Sequence, residues 1–327
     1  MKKGINVLSL FDGLSCGNVA LERAGIKINN YYASEVDKWA IQIANKNYPD
    51  IIQLGDVLGV KGKDLPKIDL LIGGSPCQDL SFAGKGKGLI KGDRSSLFYQ
   101  YVRLLKECKP KYFLLENVRM KQEYQDIISD LLGVQPVKIN SSLVSAQNRV
   151  RLYWTNIPNV TQPEDKGILL KDILLDDAEE PMLSNIYGGF KEKKPRVHTN
   201  KSVTIRAASG GGAIPSIKLK QHINNESVTK QGKSYALTAS YYKAVAWNSV
   251  QKKQRTMIPV ELSDKKDPNT YNGIKYRLLN PIEVERLQTI PDGYTSGVSN
   301  TQRFRMLGNS WTADIIAHLF KGLKDGE

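Results

Sequence analysis

Cysteine and histidine are scarce in this 327-residue chain, three of each. Cys16, Cys77 and Cys108 are an odd number at wide spacing with no CxxC pair, so the sequence offers neither a disulfide framework nor a zinc site, and no metal is expected. Long apolar runs are missing as well. None approaches the roughly 18 residues of a membrane span, so no membrane association is expected. The start, MKKGINVLSLFDG, opens like a secretory signal, but its apolar stretch breaks at Asp12 without a small-residue cleavage site. That argues for a cytoplasmic protein. No turn carries the strict GxGxxG of a dinucleotide-binding fold.

Positive charge is what the sequence has in excess. Lys and Arg number 47 against 33 Asp and Glu, a formal net charge of +14. The surplus is local: between Leu183 and Lys275 seventeen Lys/Arg face five Asp/Glu, which supplies +12 of the +14. A basic segment of this kind suits a polyanion, because each phosphate it neutralises releases condensed counterions. A solvated basic surface kept for solubility is the alternative on charge alone.

The first 155 residues alternate short apolar runs with amphipathic stretches, the βαβα pattern of a mainly parallel sheet covered by helices. INVLSL (5–10), NNYYASE (29–35), IIQLG, IDLLIGG, YFLLE, VKINSSLV and VRLYWTN read as strands. GNVALERAG (17–25), DKWAIQIANKNY (37–48), SSLFYQYVRLLKEC and residues 123–132 read as helices. Ligands of such a doubly wound sheet belong at the carboxyl ends of its strands. After Pro158 come loops, an acidic patch DDAEE (176–180) and basic, β-leaning sequence, a second domain. Helical sequence returns at NPIEVERLQTI and SWTADIIAHLF, so the C-terminal part rejoins the first domain and the basic region is an insertion.

LFDGLSCG (10–17) follows the first strand and opens the first helix, where small residues let a ligand approach the helix N-terminus. Asp12 would repel a pyrophosphate but can face a cationic amino acid, which favours S-adenosylmethionine over a dinucleotide. Glu35, after the second strand, suits two ribose hydroxyls, and Asp56, after the third, an adenine amine. Singly, each acid reads as a cap or turn residue; together, after three successive strands, they read as a site. Cys77 follows the fourth strand and Pro76. A buried cysteine is commonly an inert hydrophobe, but a thiol at a strand tip beside a cofactor pocket is a nucleophile. Glu116, in ENV (116–118), adds a carboxyl at the next tip. In QNRVR (147–151) a strand would send Arg149 and Arg151 to one face, either as surface charge or as a grip on an electron-rich ring.

These pieces together resemble the DNA cytosine C5-methyltransferases. FDGLSCG, Glu35, Asp56-Val57, GGSPCQDLS with GKGKG and RSSLF, ENV, QNRVR, RLLNPIEVERLQTIPDGY and RFRMLGNSW occur in that family's order from residue 5 to about 320. The basic segment lies where the family carries its variable target-recognition region. Ser15 and Cys16 stand where many bacterial members have glycines, and GNSW replaces the commoner GNSV; both are nearer the animal de novo branch. The resemblance implies a Rossmann-like S-adenosylmethionine-dependent methyltransferase fold, with a doubly wound, mostly parallel sheet and an inserted smaller β-rich target-recognition domain. Residues 1–160 and 277–327 would form the catalytic domain and 161–276 the basic one.

It also implies a mechanism. Cys77, as thiolate, attacks C6 of a cytosine flipped out of double-stranded DNA; Glu116 contacts N3 and the exocyclic amine; Arg149 and Arg151 hold the cytosine carbonyl; Asn117 braces the Pro76-Cys77 turn. Phe11, Asp12, Gly13, Gly17, Glu35, Val36, Asp56, Val57, Pro76, Leu97, Asn309 and Ser310 would surround the cofactor, S-adenosyl-L-methionine. The stretch QDLSFAGKGKGLIKGDRSS resembles the family's mobile loop, with Ser81 and Arg94 as DNA contacts and Thr204, Arg206 and Thr238 as base-reading candidates in the insert. A monomer is expected, and a cognate restriction endonuclease is not required for activity. Two rival readings stand beside this one: a tRNA cytosine-C5 methyltransferase, and a catalytically silent DNA-binding protein. The long basic insert disfavours the first and the intact catalytic positions the second.

Overall fold

The computed structural model describes residues 4–76, 96–175 and 279–324, together with the backbone of short strands between residues 183 and 277. Two compact units divide the chain: Met1–Ile139 with Val150–Gln162 and Ala313–Glu327, and Asn140–Arg149 with Pro163–Thr312. Residues 277–312, grouped on sequence with the catalytic domain, thus cluster with the second unit, and 313–327 with the first.

The first unit is built on β1 (Ile5–Leu10), β2 (Ile28–Ser34), β3 (Ile52–Gln53), β4 (Leu70–Gly73), β5 (Tyr112–Val118), β6 (Val137–Asn140) and β8 (Val150–Thr155); β7 (Gln147–Asn148) lies outside this sheet. The sheet order is β3-β2-β1-β4-β5-β8-β6. β1 to β5 pair in parallel, whereas β8 runs antiparallel to β5. The helices are α1 (Cys16–Ala24), α2 (Lys38–Asn47), α3 (Ser96–Cys108), α4 (Gln122–Leu132) and α7 (Ala313–Phe320).

Alternation along the strands assigns the two faces. Leu8, Leu10, Leu71 and Leu115 join Phe98, Tyr101, Val102 and Leu104 of α3 and Ile128 and Leu132 of α4 in one core. On the other side a Cβ on Gly17 of α1 would meet Ile72, the residue after Leu71, at 2.5 Å. α1 packs extensively against α7, and Arg23 and Asp314 form an ion pair at 2.6 Å across them. Both faces are therefore covered, as a buried parallel sheet requires. Trp154 of β8 is fully buried, and its indole N–H donates to Ser129 Oγ of α4 at 2.9 Å.

Local chemistry sets the helix ends. Gly25 ends α1 in the left-handed region at φ 66°, its N–H bonded to the Glu22 carbonyl while the Ile26 N–H returns to Leu21. Asp37 caps α2 by accepting from the Trp39 N–H at 3.0 Å. β3 is only two residues long within the five-residue run read as a strand, because it borders a single neighbour, β2, at the sheet edge.

In the second unit, α5 (Pro281–Leu287) starts with proline in its first turn and a capping box between Asn280 and Glu283. α6 (Asn300–Asn309) follows. The short strands β9 (Leu183–Ser184) and β10 (Arg196–Val197) pair antiparallel, β11 (Ser202–Val203) pairs parallel with β7, and β12 (Ile258–Leu262), β14 (Ile274–Arg277) and β13 (Thr270–Tyr271) form an antiparallel three-stranded sheet. The sequence between residues 183 and 277 is thus β-leaning wherever its backbone is described. No helix among the described residues is long and apolar enough to cross a membrane.

Candidate active site

Parallel β1 to β5 deliver their carboxyl ends to one edge of the sheet, and the turns that follow carry the polar residues. After β1 the chain adopts positive φ at Phe11 (57°), Gly13 (58°) and Ser15 (58°). For the two non-glycine residues that conformation costs on the order of 1 kcal/mol each, so the surroundings must hold it. They do so through Asp12. Its Oδ1 accepts from Ser9 Oγ at 2.6 Å and Tyr31 Oη at 2.7 Å, and its Oδ2 accepts from Ser15 Oγ. Burial pushes the Asp12 carboxyl up to about 6, against the pull of the three hydroxyls, and the nearby Glu35 charge adds to the rise. Phe11 packs half-buried on the α3–α4 core, as does Leu97.

Glu35 follows β2. Its Oε2 accepts from the Gly13 N–H at 2.8 Å, and its Oε1 from the N–H groups of Val36 and Asp37 at 2.8 and 2.9 Å. A carboxylate has about four acceptor directions, and three on Glu35 are filled among the described residues. The Gly13 bond ties the first turn to the second. Asp56, after β3, is exposed and accepts only the Leu58 N–H, at 3.0 Å, among the described residues. Val57 is buried, whereas Val36 and Leu58 expose 69% and 61% of their surface. Two uncovered apolar side chains beside two carboxylates with open acceptor directions fit a nucleoside, whose flat base needs apolar contact and whose hydroxyls and amine donate. Asp12, with one acceptor direction on Oδ2 unfilled among the described residues, fits an ammonium group.

β4 is followed by Gly74, Ser75 and a half-buried Pro76. Asn117 of β5 reaches this turn: its Nδ2 donates to the buried Ser75 Oγ at 3.2 Å, while its Oδ1 accepts from the Val118 N–H at 2.8 Å. Cys77 lies outside the described residues, as do Ser81, Arg94, Thr204, Arg206 and Thr238. Beside Asn117, Glu116 is buried and its Oε1 meets Arg151 Nε at 2.9 Å. The antiparallel direction of β8 produces this pair: its first residues lie opposite the last residues of β5, with Arg151 paired to Val118. Arg151 Nη1 also donates to the Val150 carbonyl at 2.8 Å.

Arg149 departs from the expected geometry. The QNRVR strand breaks at Arg149, between β7 and β8, so the two arginines do not share a continuous strand. Arg149 belongs to the second unit, where its Nη2 donates to the Ser310 carbonyl at 2.9 Å and its Nη1 to the Gly308 carbonyl at 3.5 Å. Ser310 is buried and donates to the Leu307 carbonyl; Asn309 is exposed.

A buried polar network in this unit escaped the sequence reading. Gln288 Nε2 donates to the Leu307 carbonyl at 2.7 Å, and its Oε1 accepts from Gln147 Nε2 and Thr312 Oγ1, both at 3.1 Å. Ser141 Oγ donates to Thr312 Oγ1 at 2.9 Å, and Gln147 and Ser145 donate to the Leu287 carbonyl. Nearby, fully buried Glu285 receives the N–H groups of Gly293 and Thr295 and pairs with Arg303 at 2.8 Å. The only hint in the sequence is polar residues recurring inside the apolar stretches ending α5 and starting β7.

The family model described as C-5 cytosine-specific DNA methylase matches residues 5–325. The chain is 25% identical to the orphan methyltransferase M.SPRI of Bacillus phage SPR, over 98% of this chain and 97% of that protein. To the type II methyltransferase M.HhaI of Haemophilus parahaemolyticus it is 26% identical, over 97% and 93%. The structure of the methyltransferase EhMeth of Entamoeba histolytica superposes with a TM-score of 0.67 at 18% identity, over 99% of both chains.

Proposed function

The chain belongs to the C-5 cytosine-specific DNA methylase family, and on that premise we propose that Cys77, Glu116, Arg149 and Arg151 carry the methylation of a cytosine flipped out of double-stranded DNA. When bound, S-adenosylmethionine supplies an electrophilic methyl group. The Cys77 sulfur bonds to C6 of the base, and the electron pair of the C5–C6 bond becomes available at C5. Glu116, held in register by Arg151, contacts N3 and the exocyclic amine and supplies a proton to N3 as negative charge develops on the ring. The guanidiniums of Arg149 and Arg151 hold the carbonyl oxygen. Once C5 carries the methyl group, loss of the C5 proton and cleavage of the S–C6 bond give 5-methylcytosine and the free thiol.

Phe11, Gly13, Gly17, Glu35, Val36, Asp56, Val57, Pro76, Leu97, Asn309 and Ser310 form the cofactor site, with Asp12 toward its amino-acid end. Glu35 Oε2 takes a ribose hydroxyl and the open Asp56 oxygen the adenine amine, while Val36 and Leu58 supply the apolar contact. Residues 1–160 and 277–327 act as the catalytic domain and 161–276 as the target-recognition domain, whose basic residues meet phosphates. Ser81, Arg94, Thr204, Arg206 and Thr238 contact DNA. The protein acts as a cytoplasmic monomer without needing a restriction endonuclease.

The observation that carries this reading is the Glu116–Arg151 pair at 2.9 Å, on the strand whose next residue, Asn117, braces the turn leading to Cys77. Full-length protein incubated with labelled cofactor should label duplex DNA, and bisulfite sequencing of that DNA should report protected cytosines. Cys77→Ser should lose turnover while its cofactor affinity stays within about twofold, since the sulfur contributes little to cofactor binding. Label appearing on tRNA alone, or turnover surviving Cys77→Ser, contradicts the proposal.

A further inference from the structure

We propose that Tyr31 is a positioning residue for the cofactor's amino-acid end: its phenol, with the hydroxyls of Ser9 and Ser15, fixes the Asp12 carboxylate so that one acceptor direction, on Oδ2, is offered to an ammonium group. The assignment rests on the cofactor reading above and extends it to a side chain that does not touch the ligand.

Tyr31 lies on β2 in register with Val7 of β1, and only 4% of its surface is exposed. A buried strand position of this kind asks only for an apolar ring, which phenylalanine would supply. The hydroxyl instead reaches Asp12 Oδ1 at 2.7 Å. Room for it comes from Gly17, where a Cβ would stand 2.6 Å from Tyr31 Oη. A glycine inside the first turn of α1 is unfavourable for the helix by about 1 kcal/mol against alanine, and the phenol occupies the space so released. Ser9 and Ser15 add a donor each, so three of the carboxylate's roughly four acceptor directions are filled. The fourth is fixed in direction because the other three are.

The titratable groups facing Asp12 are Tyr31 from β2 and Glu35 from the turn after β2; Ser9 and Ser15 are neutral. Tyr31 stays a donor, since burial and the Asp12 charge push its phenol up. Asp12 titrates at about 6 in the free protein, and an ammonium partner favours its ionised form. Cofactor affinity therefore falls as pH drops through that value. The Tyr31 hydrogen bond also favours the ionised form; without it the carboxyl holds its proton to higher pH, and affinity falls earlier.

The test is calorimetric titration of the full chain between about pH 5 and 8 with two ligands. S-adenosylhomocysteine has the amino-acid end; 5′-methylthioadenosine keeps adenosine and sulfur but lacks it. Tyr31→Phe retains the ring and should bind S-adenosylhomocysteine about tenfold more weakly at neutral pH, the scale of one lost hydrogen bond to a charged group. The midpoint of its pH dependence should move upward. Affinity for 5′-methylthioadenosine should stay within about twofold and flat with pH. Ser9→Ala removes a second donor from the same carboxylate and should shift the midpoint in the same direction, which keeps the proposal testable if Tyr31→Phe does not fold. Equal loss for both ligands, or an unmoved midpoint, overturns the role of Tyr31 while leaving the cofactor site standing. Failure of the unaltered protein to bind either ligand overturns the cofactor reading, and this one with it.

Discussion

Glu116 and Arg151 illustrate what a charge at a strand tip demands. Both side chains are about nine-tenths buried, and a carboxylate in such a place is stable only if a cation stands against it. Arg151→Leu should destabilise the protein by roughly 3 kcal/mol, the scale of an uncompensated buried charge. Adding Glu116→Gln should restore part of that loss; urea denaturation of the single and double variants measures both. If the double variant were no more stable than Arg151→Leu alone, the pair would not be the reason the arginine is needed. Asp12 poses the opposite case. Its folded carboxyl sits at about 6, above its ordinary value of 3.8, so the folded state holds this proton more tightly than the unfolded chain does. The resulting stabilisation is fully present below about pH 4 and is lost as pH rises through about 6. Asp12→Asn removes that dependence. It should be more stable than the unaltered protein at pH 8, by on the order of 1–3 kcal/mol, and lose its advantage near pH 4. Thermal melts at the two pH values check the sign.

Elements show how far the sequence can be read. The alternation of β1, β2, β4 and β5 with α1 to α4 was legible because each strand is a compact apolar run and each helix has apolar residues at helical spacing. That Asp12, Glu35, Asp56 and Glu116 stand at strand ends along one edge was legible because parallel strands share that edge. Three things could not be read. The antiparallel course of β8, which brings Arg151 to Glu116, depends on pairing between segments more than thirty residues apart. The interruption at Arg149 depends on its bonds to the Gly308 and Ser310 carbonyls. And Gln147, Gln288 and Thr312 look like surface polar residues until their mutual bonds are seen. Gln288→Leu removes one hydrogen bond each from Gln147, Thr312 and the Leu307 carbonyl, which should cost about 2–4 kcal/mol; a marked drop in the denaturant midpoint is expected, and an unchanged midpoint would show the network to be dispensable. Gly17→Ala should act through clearance. Its methyl would press on Ile72 and on Tyr31 Oη, with an expected loss of about 1–3 kcal/mol.

For the whole molecule, charge is the property that sets function. The surplus of positive residues between Leu183 and Lys275 is distant in sequence from the carboxylate-rich turns after β1, β2 and β3, so the two charges belong to different parts of the chain. Replacing four Lys or Arg of that segment by Glu should weaken duplex binding, and the slope of log K against log salt should fall by about 0.9 for each phosphate that is no longer neutralised. Filter binding or fluorescence anisotropy across a salt series reads the slope, and an unaltered slope would remove the segment from the DNA interface.

The pairing of α1 with α7 bears on how the protein is made. Helix α1 bears the turn that holds Asp12, yet its cover, residues 313–320, leaves the ribosome some three hundred residues later. A nascent chain must therefore wait with one side of its earliest helix open, and a product halted before residue 313 leaves that side uncovered. Premature stops before residue 313 should yield polypeptides without methyltransferase activity, which an assay of truncated chains checks.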